Sequence, residues 1–358
     1  MRIALAGVGL IGGSIGLAAR ERLEDVEVVG WDVEPRALEA AVRRQAIHRA
    51  ANSLEEALQG ASSCFACAPV GALPALVAGV LEVAPEDCSV SDVGSTKRLV
   101  AAAASDPRFV GGHPIAGAET AGIEHARADL FDGAAWYVTP TEGSSGLLFE
   151  RLHRMVVAFG AHPVAIDPEA HDRLLAAVSH LPHVLANVLV AQAARTLSDE
   201  GEALPRVGPS FRDATRVAGA NSRVWTDIYL ANGEAIAAEV DETVARLQEL
   251  AGALRAGDPA VLEAWNEAAG EDRRHLLEAE LAGGTVHELR VTVPNRPGIV
   301  AQVALALGRA GVNIVDMALS PAPDMRSGAV RLWIAGDAPA ARASELVEGL
   351  GFPVAWAS

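Results

Sequence analysis

Gly7-Val8-Gly9-Leu10-Ile11-Gly12 follows the apolar run Arg2-Ile3-Ala4-Leu5-Ala6 directly and opens a stretch of helical periodicity. A short strand, a glycine-rich turn and a helix in that order make the first unit of a dinucleotide-binding fold. The glycines permit a tight turn and let the backbone N–H groups at the helix start approach a pyrophosphate. Twenty residues beyond Gly12, Asp32 closes a second apolar run, Glu27–Trp31. A carboxylate there accepts from both ribose hydroxyls and repels a 2′-phosphate, so NAD is favoured over NADP, although Arg36 could neutralise such a phosphate. Gly7, Gly9, Leu10, Ile11, Gly12 and Asp32 are the expected cofactor contacts.

Working outward, the runs Ser63–Ala68, Cys88–Asp92, Arg108–Gly111 and Ala135–Thr139 alternate with amphipathic stretches. That alternation is the pattern of a parallel sheet covered by helices. From Asp167 to Leu281 long helical periods replace it: Asp172–Ser198, interrupted by Pro182, then Ile228–Leu254 and Pro259–Leu281. Gly283-Gly284-Thr285 reads as a linker. Beyond it come strands at His287–Val293, Val312–Leu319, Ala329–Ala335 and Phe352–Trp356, with helices near Gly298–Arg309 and Ala338–Leu350. The order βαββαβ is ferredoxin-like, with Asn295 as helix cap, Pro297 in the first turn and Gly311 at the C-cap. The expected fold class is α/β: a Rossmann-type parallel sheet over residues 1–166, an all-helical second domain over 167–282, and a ferredoxin-like α+β domain over 286–358.

At 358 residues, half of them hydrophobic, the chain exceeds one ordinary core and is not disordered. No apolar run is read as reaching the roughly 20 residues of a membrane helix, and the N-terminus enters a strand rather than a signal peptide. A soluble cytoplasmic protein without membrane contact is expected. The net charge of −17 argues against nucleic acid and leaves any anionic substrate to locally placed arginines. Cys64 and Cys67 fall on opposite faces of a strand, which disfavours both a shared metal and a redox pair. Lys97 is the sole lysine and follows Gly94-Ser95-Thr96, near the expected cofactor end.

In Gly111-Gly112-His113-Pro114-Ile115-Ala116-Gly117, a loop histidine stands among small residues. A neutral imidazole there can take the proton of a bound alcohol while substrate and nicotinamide approach, which suggests a dehydrogenase. His180 and His183, in Ser179-His180-Leu181-Pro182-His183, share one helix face and read as substrate contacts. Zinc is the rival reading, but its third ligand would have to be His171, nearly opposite His180 on a straight helix, so no metal is expected. Arg216 in Asp213-Ala214-Thr215-Arg216-Val217-Ala218-Gly219, with Trp225 beyond, offers a carboxylate clamp beside an aromatic wall.

With Gly7–Gly16, Asp92–Lys97, Gly112–Gly117, Ser179–His183 and Asp213–Gly219 plus Trp225 in view, the chain resembles the prephenate/arogenate dehydrogenase family through its helical segment. Val291–Gly298 through Val312-Asn313-Ile314 resembles an ACT domain, a module that binds amino acids at interfaces. The resemblance implies an oxidative decarboxylation: hydride leaves C4 of a cyclohexadienyl ring for NAD, the C4 hydroxyl loses its proton, and the ring carboxylate departs as carbon dioxide. It implies that His113 accepts from the hydroxyl, Ser95 orients that group and reaches toward the nicotinamide, and Arg216 binds the ring carboxylate. His183 then contacts the propanoyl side chain, His180, Glu119 and Trp225 shape or gate the pocket, and Pro69 joins the cofactor contacts. Ala118 departs from the threonine or serine of relatives, so one polar substrate contact is lost and the choice between prephenate and arogenate stays open. The resemblance further implies a homodimer through the apolar helices and feedback by L-tyrosine near Asn295, Pro297, Gly298 and Asn313. Two other readings stand beside it. A silent NAD/amino-acid sensor would show no turnover, and a β-hydroxyacid dehydrogenase would want a lysine on the helical domain, which has none.

Overall fold

The structure, a computed structural model, describes residues 1–117, 120–200, 207–278, 286–322 and 327–356. It forms two compact units: Met1–His171 with Gly283–Ser358, and Asp172–Ala282. The tail and the nucleotide-binding segment, expected as separate domains, thus share one unit.

In that unit β1 (Arg2–Ala6), β2 (Glu27–Trp31), β3 (Arg49–Ala50), β4 (Ser63–Ala66) and β5 (Ser89–Asp92) make a parallel sheet ordered β3-β2-β1-β4-β5. Helices cover both faces, which is why Ile3–Ala6 of β1 and Cys64–Ala66 of β4 are apolar without alternating. Burial raises the thiol pKa values of Cys64 and Cys67, which keeps both protonated and suits packing rather than redox chemistry.

The expected strand Arg108–Gly111 is displaced. Phe109 makes only a bridge to Val90, and the strand itself is β6 (Gly111–Pro114). It pairs antiparallel with β7 (Ala135–Thr139), which pairs parallel with β8 (His162–Ala165). His113 therefore sits in a strand opposite Tyr137 and not in a loop. Close packing against β5 and β7 leaves no room for side chains at Gly111 and Gly112, as described below.

The tail forms an antiparallel sheet ordered β10-β11-β9-β12 from β9 (Val286–Pro294), β10 (Ile314–Pro321), β11 (Ser327–Ala335) and β12 (Val354–Trp356), with helices Ile299–Arg309 and Asp337–Gly349. The first helix begins later than Asn295 would cap it. Gly298 occupies the cap with φ +78, and a Cβ there would collide with the Glu142 carbonyl. A Cβ at Gly308 would likewise strike the Ala165 carbonyl. These two close approaches seat the tail on the nucleotide-binding segment.

His153, on the helix Gly146–Ala158 packed against β10, has its pKa lowered to about 4 by burial. The unfolded chain takes up this proton near the ordinary pH 6.5, so the folded state loses stability as pH falls from 6.5 toward 4. His153→Leu is expected to flatten the fall in Tm between pH 7 and 5 by the equivalent of about 1–2 kcal/mol. An unchanged slope would refute this.

The second unit is helical. Pro182 does not interrupt its first helix: Pro168–Leu175 runs through a π-turn, Ala176–His180, into Leu181–Glu200. The wider turn accommodates a residue that lacks an N–H and crowds the preceding carbonyls. One consequence corrects the expectation of no long apolar segment. Pro168–Thr196 is long and apolar enough, by length and composition, to cross a membrane. Its N-terminal half places the polar side chains of His171, Asp172, His180 and His183 in the protein interior. Among the described residues four further helices follow, Pro209–Thr215, Ser222–Ala231, Gly233–Ala256 and Pro259–Glu278. Val188, Leu189 and Val190, and separately Leu247, Leu254, Val261 and Trp265, are exposed in the single chain.

Candidate active site

The cofactor end is built by close backbone packing. Gly7 has φ +105 and presses on the Cys67 carbonyl, and Gly12 presses on Gly7, so neither tolerates a Cβ. A Cβ on Gly9 would meet nothing within 4 Å, leaving open the side where a pyrophosphate meets the helix Leu10–Arg22. The first-turn N–H groups that follow Gly9, at Leu10 and Ile11, lack intrahelical acceptors. Asp32 Oδ2 accepts from Val8 N (2.8 Å) and Oδ1 from Glu34 N (2.9 Å), which fixes the carboxylate at the β2 end. Pro69 lies just after β4 and starts a 3₁₀ turn. These residues fit a dinucleotide, and a nicotinamide cofactor bound here supplies the hydride acceptor.

Deeper in the same unit, Asp92 ends β5 and is fully buried with Lys97. Lys97 lies in the interior and not at the surface. Its Nζ donates to Asp92 Oδ2 and to the Gly112 carbonyl (2.7 Å), while Asp92 accepts from Gly94 N (2.8 Å) and Gly112 N (3.1 Å). A Cβ at Gly111 would run into Thr139 and Lys97, and one at Gly112 into Ser91 and Asp92. The paired glycines before His113 are thus required by the close approach of β5 and β7, with the Lys97 stem in tight contact at Gly111. This staple ties the Gly94-Ser95-Thr96 turn to β6, so the half-buried Ser95 and the buried His113 are held by one cluster. His113 Nδ1 lies 2.9 Å from Nε2 of the fully buried His171.

The second unit gathers His180, His183 and Trp225. The His183 ring stacks on Trp225 at 3.5 Å and 4°, and His180 meets Trp225 edge-on at 6.0 Å. His183 Nδ1 accepts from Asn187 Nδ2 (3.3 Å) and lies 2.6 Å from the Tyr229 hydroxyl. An Asn amide nitrogen can only donate, so Nδ1 is the acceptor and Nε2 carries the hydrogen. Nε2 is buried without a hydrogen-bond partner among the described residues, and burial lowers the ring's pKa, favouring the neutral form. The ring therefore presents one N–H donor, suited to a ligand oxygen. Asn232 Nδ2 bridges the Asp172 carbonyl (2.7 Å) and His180 Nδ1 (3.2 Å). Arg216 caps the helix Pro209–Thr215 and is exposed. Its turn is anchored to the histidine helix by Gly219 N donating to Asn187 Oδ1 (3.0 Å).

Glu119 and Ala118 lie outside the described residues, as does the Gly283-Gly284-Thr285 linker. His171, weighed above only as a third ligand with His180 and His183, instead meets His113. Asp92, Asn187, Tyr229 and Asn232 were missed. Helical spacing holds a usable signal for two of them, since Asn187 follows His183 by four residues and Tyr229 follows Trp225 by four.

Three family models match in sequence: prephenate dehydrogenase, nucleotide-binding domain, at residues 15–165; prephenate dehydrogenase, dimerization domain, at 167–266; and ACT domain at 287–330. The chain is 28% identical over 353 residues to a prephenate dehydrogenase of Bacillus subtilis, covering 97% of this chain and 95% of the relative. It is 30% identical over 293 residues to a cyclohexadienyl dehydrogenase of Zymomonas mobilis, covering 80% and 98%. Among solved structures, Synechocystis arogenate dehydrogenase superposes with a TM-score of 0.69 at 26% identity, covering 77% of this chain and 100% of that one. Prephenate dehydrogenase from Aquifex aeolicus, in complex with hydroxyphenyl propionate and NAD+, gives 0.69 at 27%, covering 76% and 98%. The two prephenate dehydrogenase models over residues 15–165 and 167–266, with relatives that match most of its length, place the chain in the prephenate dehydrogenase family, with an ACT domain toward its C-terminus.

Proposed function

We infer that the chain is an NAD-dependent oxidoreductase that converts prephenate to 4-hydroxyphenylpyruvate and carbon dioxide, in tyrosine biosynthesis. The observation that carries this reading is His113, buried in β6 and fixed to the Ser95 turn by Asp92 and Lys97 below a dinucleotide fingerprint. In it His113 takes the C4 hydroxyl proton, Ser95 orients that hydroxyl, and Arg216 holds the ring carboxylate in a strongly acidic protein. Loss of the carboxylate as carbon dioxide leaves an aromatic ring, which drives the reaction. The His183 Nε2–H suits the keto oxygen of prephenate, which only accepts, and this favours prephenate over arogenate, which has an ammonium group in its place that would need an acceptor. Reduced nicotinamide formation with prephenate and arogenate, each with NAD and NADP, tests the reading. Faster turnover of prephenate with NAD is expected, and a preference for arogenate would overturn the role given to His183.

The exposed apolar side chains of the helical unit, in a segment that matches a dimerization domain, support a homodimer. We propose L-tyrosine as the effector at the Asn295–Gly298 turn. Asn295 and Pro297 line a mostly apolar cavity of about 260 Å³ with Pro107, Leu147, Val300 and Leu319. That volume suits an aromatic side chain. Asn313 is exposed at the opposite end of the helix Ile299–Arg309, outside the lining, and Gly298 serves the tail's docking instead. Leu147→Trp, which fills the cavity mouth, is expected to raise the tyrosine concentration for half-inhibition at least about tenfold with uninhibited kcat retained. Unaltered inhibition would place the effector elsewhere.

A further inference from the structure

His171 lies in the helix Pro168–Leu175, is fully buried, and carries no part of the roles assigned above. Its ring meets that of His113 at 70° with centroids 5.1 Å apart, and the Nδ1···Nε2 distance of 2.9 Å is a hydrogen bond. Two neutral imidazoles share such a bond in only two ways, since each has one N–H and one lone pair. If His171 donates, His113 Nδ1 uses its lone pair and Nε2 bears the hydrogen, so neither nitrogen can take a proton from an alcohol. If His113 donates, Nε2 keeps its lone pair. Only this second arrangement makes His113 a base.

We propose that His171 is a positioning residue that accepts the His113 Nδ1–H through its Nε2 and so holds the base in its reactive tautomer, an inference that rests on reading His113 as the base. Tyr137, opposite His113 across the β6–β7 pair, packs edge-on to the His171 ring at 5.5 Å and 82° and fixes its plane. When the hydroxyl O–H bond breaks, its proton bonds to His113 Nε2. The electron pair stays on oxygen and forms the carbonyl as hydride leaves C4 for the cofactor. The resulting imidazolium keeps its Nδ1–H on His171 Nε2, and this charge-assisted bond is stronger than the neutral one it replaces.

The test uses the full-length protein with NAD bound and histidine rings labelled with nitrogen-15, the His113 signals being those absent from His113→Asn. Protonated Nδ1 and unprotonated Nε2 are expected; the opposite tautomer overturns the proposal. In kinetics, His171→Leu is expected to lower kcat on the order of 10- to 100-fold with both KM values within about twofold. His171→Gln, whose Oε1 can accept, should stay within about fivefold of wild type. Adding His171→Leu to His113→Asn should cost nothing further. Wild-type turnover by His171→Leu, equal loss in the Leu and Gln variants, or a full additional loss in the double variant would each refute the role. If His171→Leu fails to fold, the labelled wild-type spectrum and the Gln variant decide. Active His113→Asn beside the expected tautomer would instead sink the base reading and leave the hydrogen-bond assignment standing.

Discussion

His113→Asn is expected to lower kcat for prephenate by about three to four orders of magnitude while NAD affinity and Tm remain near wild type. Asparagine keeps a polar amide of similar reach beside β7, so the strand and its staple persist, but no asparagine atom accepts a proton near neutral pH. The substrate must then lose its hydroxyl proton to water while hydride leaves, and the advantage of a positioned base disappears. Steady-state assay together with NAD titration and thermal unfolding separates this outcome from a folding defect. Turnover within tenfold of wild type in a folded variant would remove His113 from the chemistry.

Lys97→Met carries the largest expected effect on stability. The ammonium and the Asp92 carboxylate are both fully buried, and removal of one partner leaves the other charge without compensation in the interior, at a cost of about 3–5 kcal/mol. For a unit of this size that corresponds to a Tm lower by roughly 6–20 °C. Asp92→Asn in the same chain removes the orphaned charge and should recover part of the loss, a pattern that simple loss of lysine packing would not give. Catalysis should suffer in Lys97→Met even below its melting range, because the Gly112 carbonyl and the Ser95 turn lose their common anchor. A variant that melts within about 2 °C of wild type would show the pair to be energetically idle.

Most of the framework was legible because it depends on local pattern. The fingerprint turn, the strand Arg2–Ala6 and the acid at Asp32 lie close together, and the structure places them as read. The tail's strand order followed from alternation and turn residues alone. Errors arose where a distant partner decides local structure. The segment at Arg108–Gly111 looked like a strand by composition, yet the strand forms three residues later, at Gly111–Pro114, where a lysine 15 residues before Gly112 bonds its carbonyl. Pro182 looked like a helix break, and a π-turn that ends two residues upstream absorbs it. His171 and His113 are 58 residues apart, so no periodicity links them; only the fold does. Sequence identified the residue types suited to proton and carboxylate chemistry. It did not reveal the buried carboxylate, amide and imidazole that hold them in place.

The central claim is that one chemical event on this protein couples hydride loss from C4 to loss of the ring carboxylate. The measurement that tests it most directly is turnover of prephenate deuterated at C4, with carbon dioxide and labelled reduced nicotinamide counted together. The account predicts one deuterium in the reduced nicotinamide for each carbon dioxide released, with 4-hydroxyphenylpyruvate as the remaining product. Carbon dioxide without label transfer, or no reaction of prephenate with NAD, would contradict it.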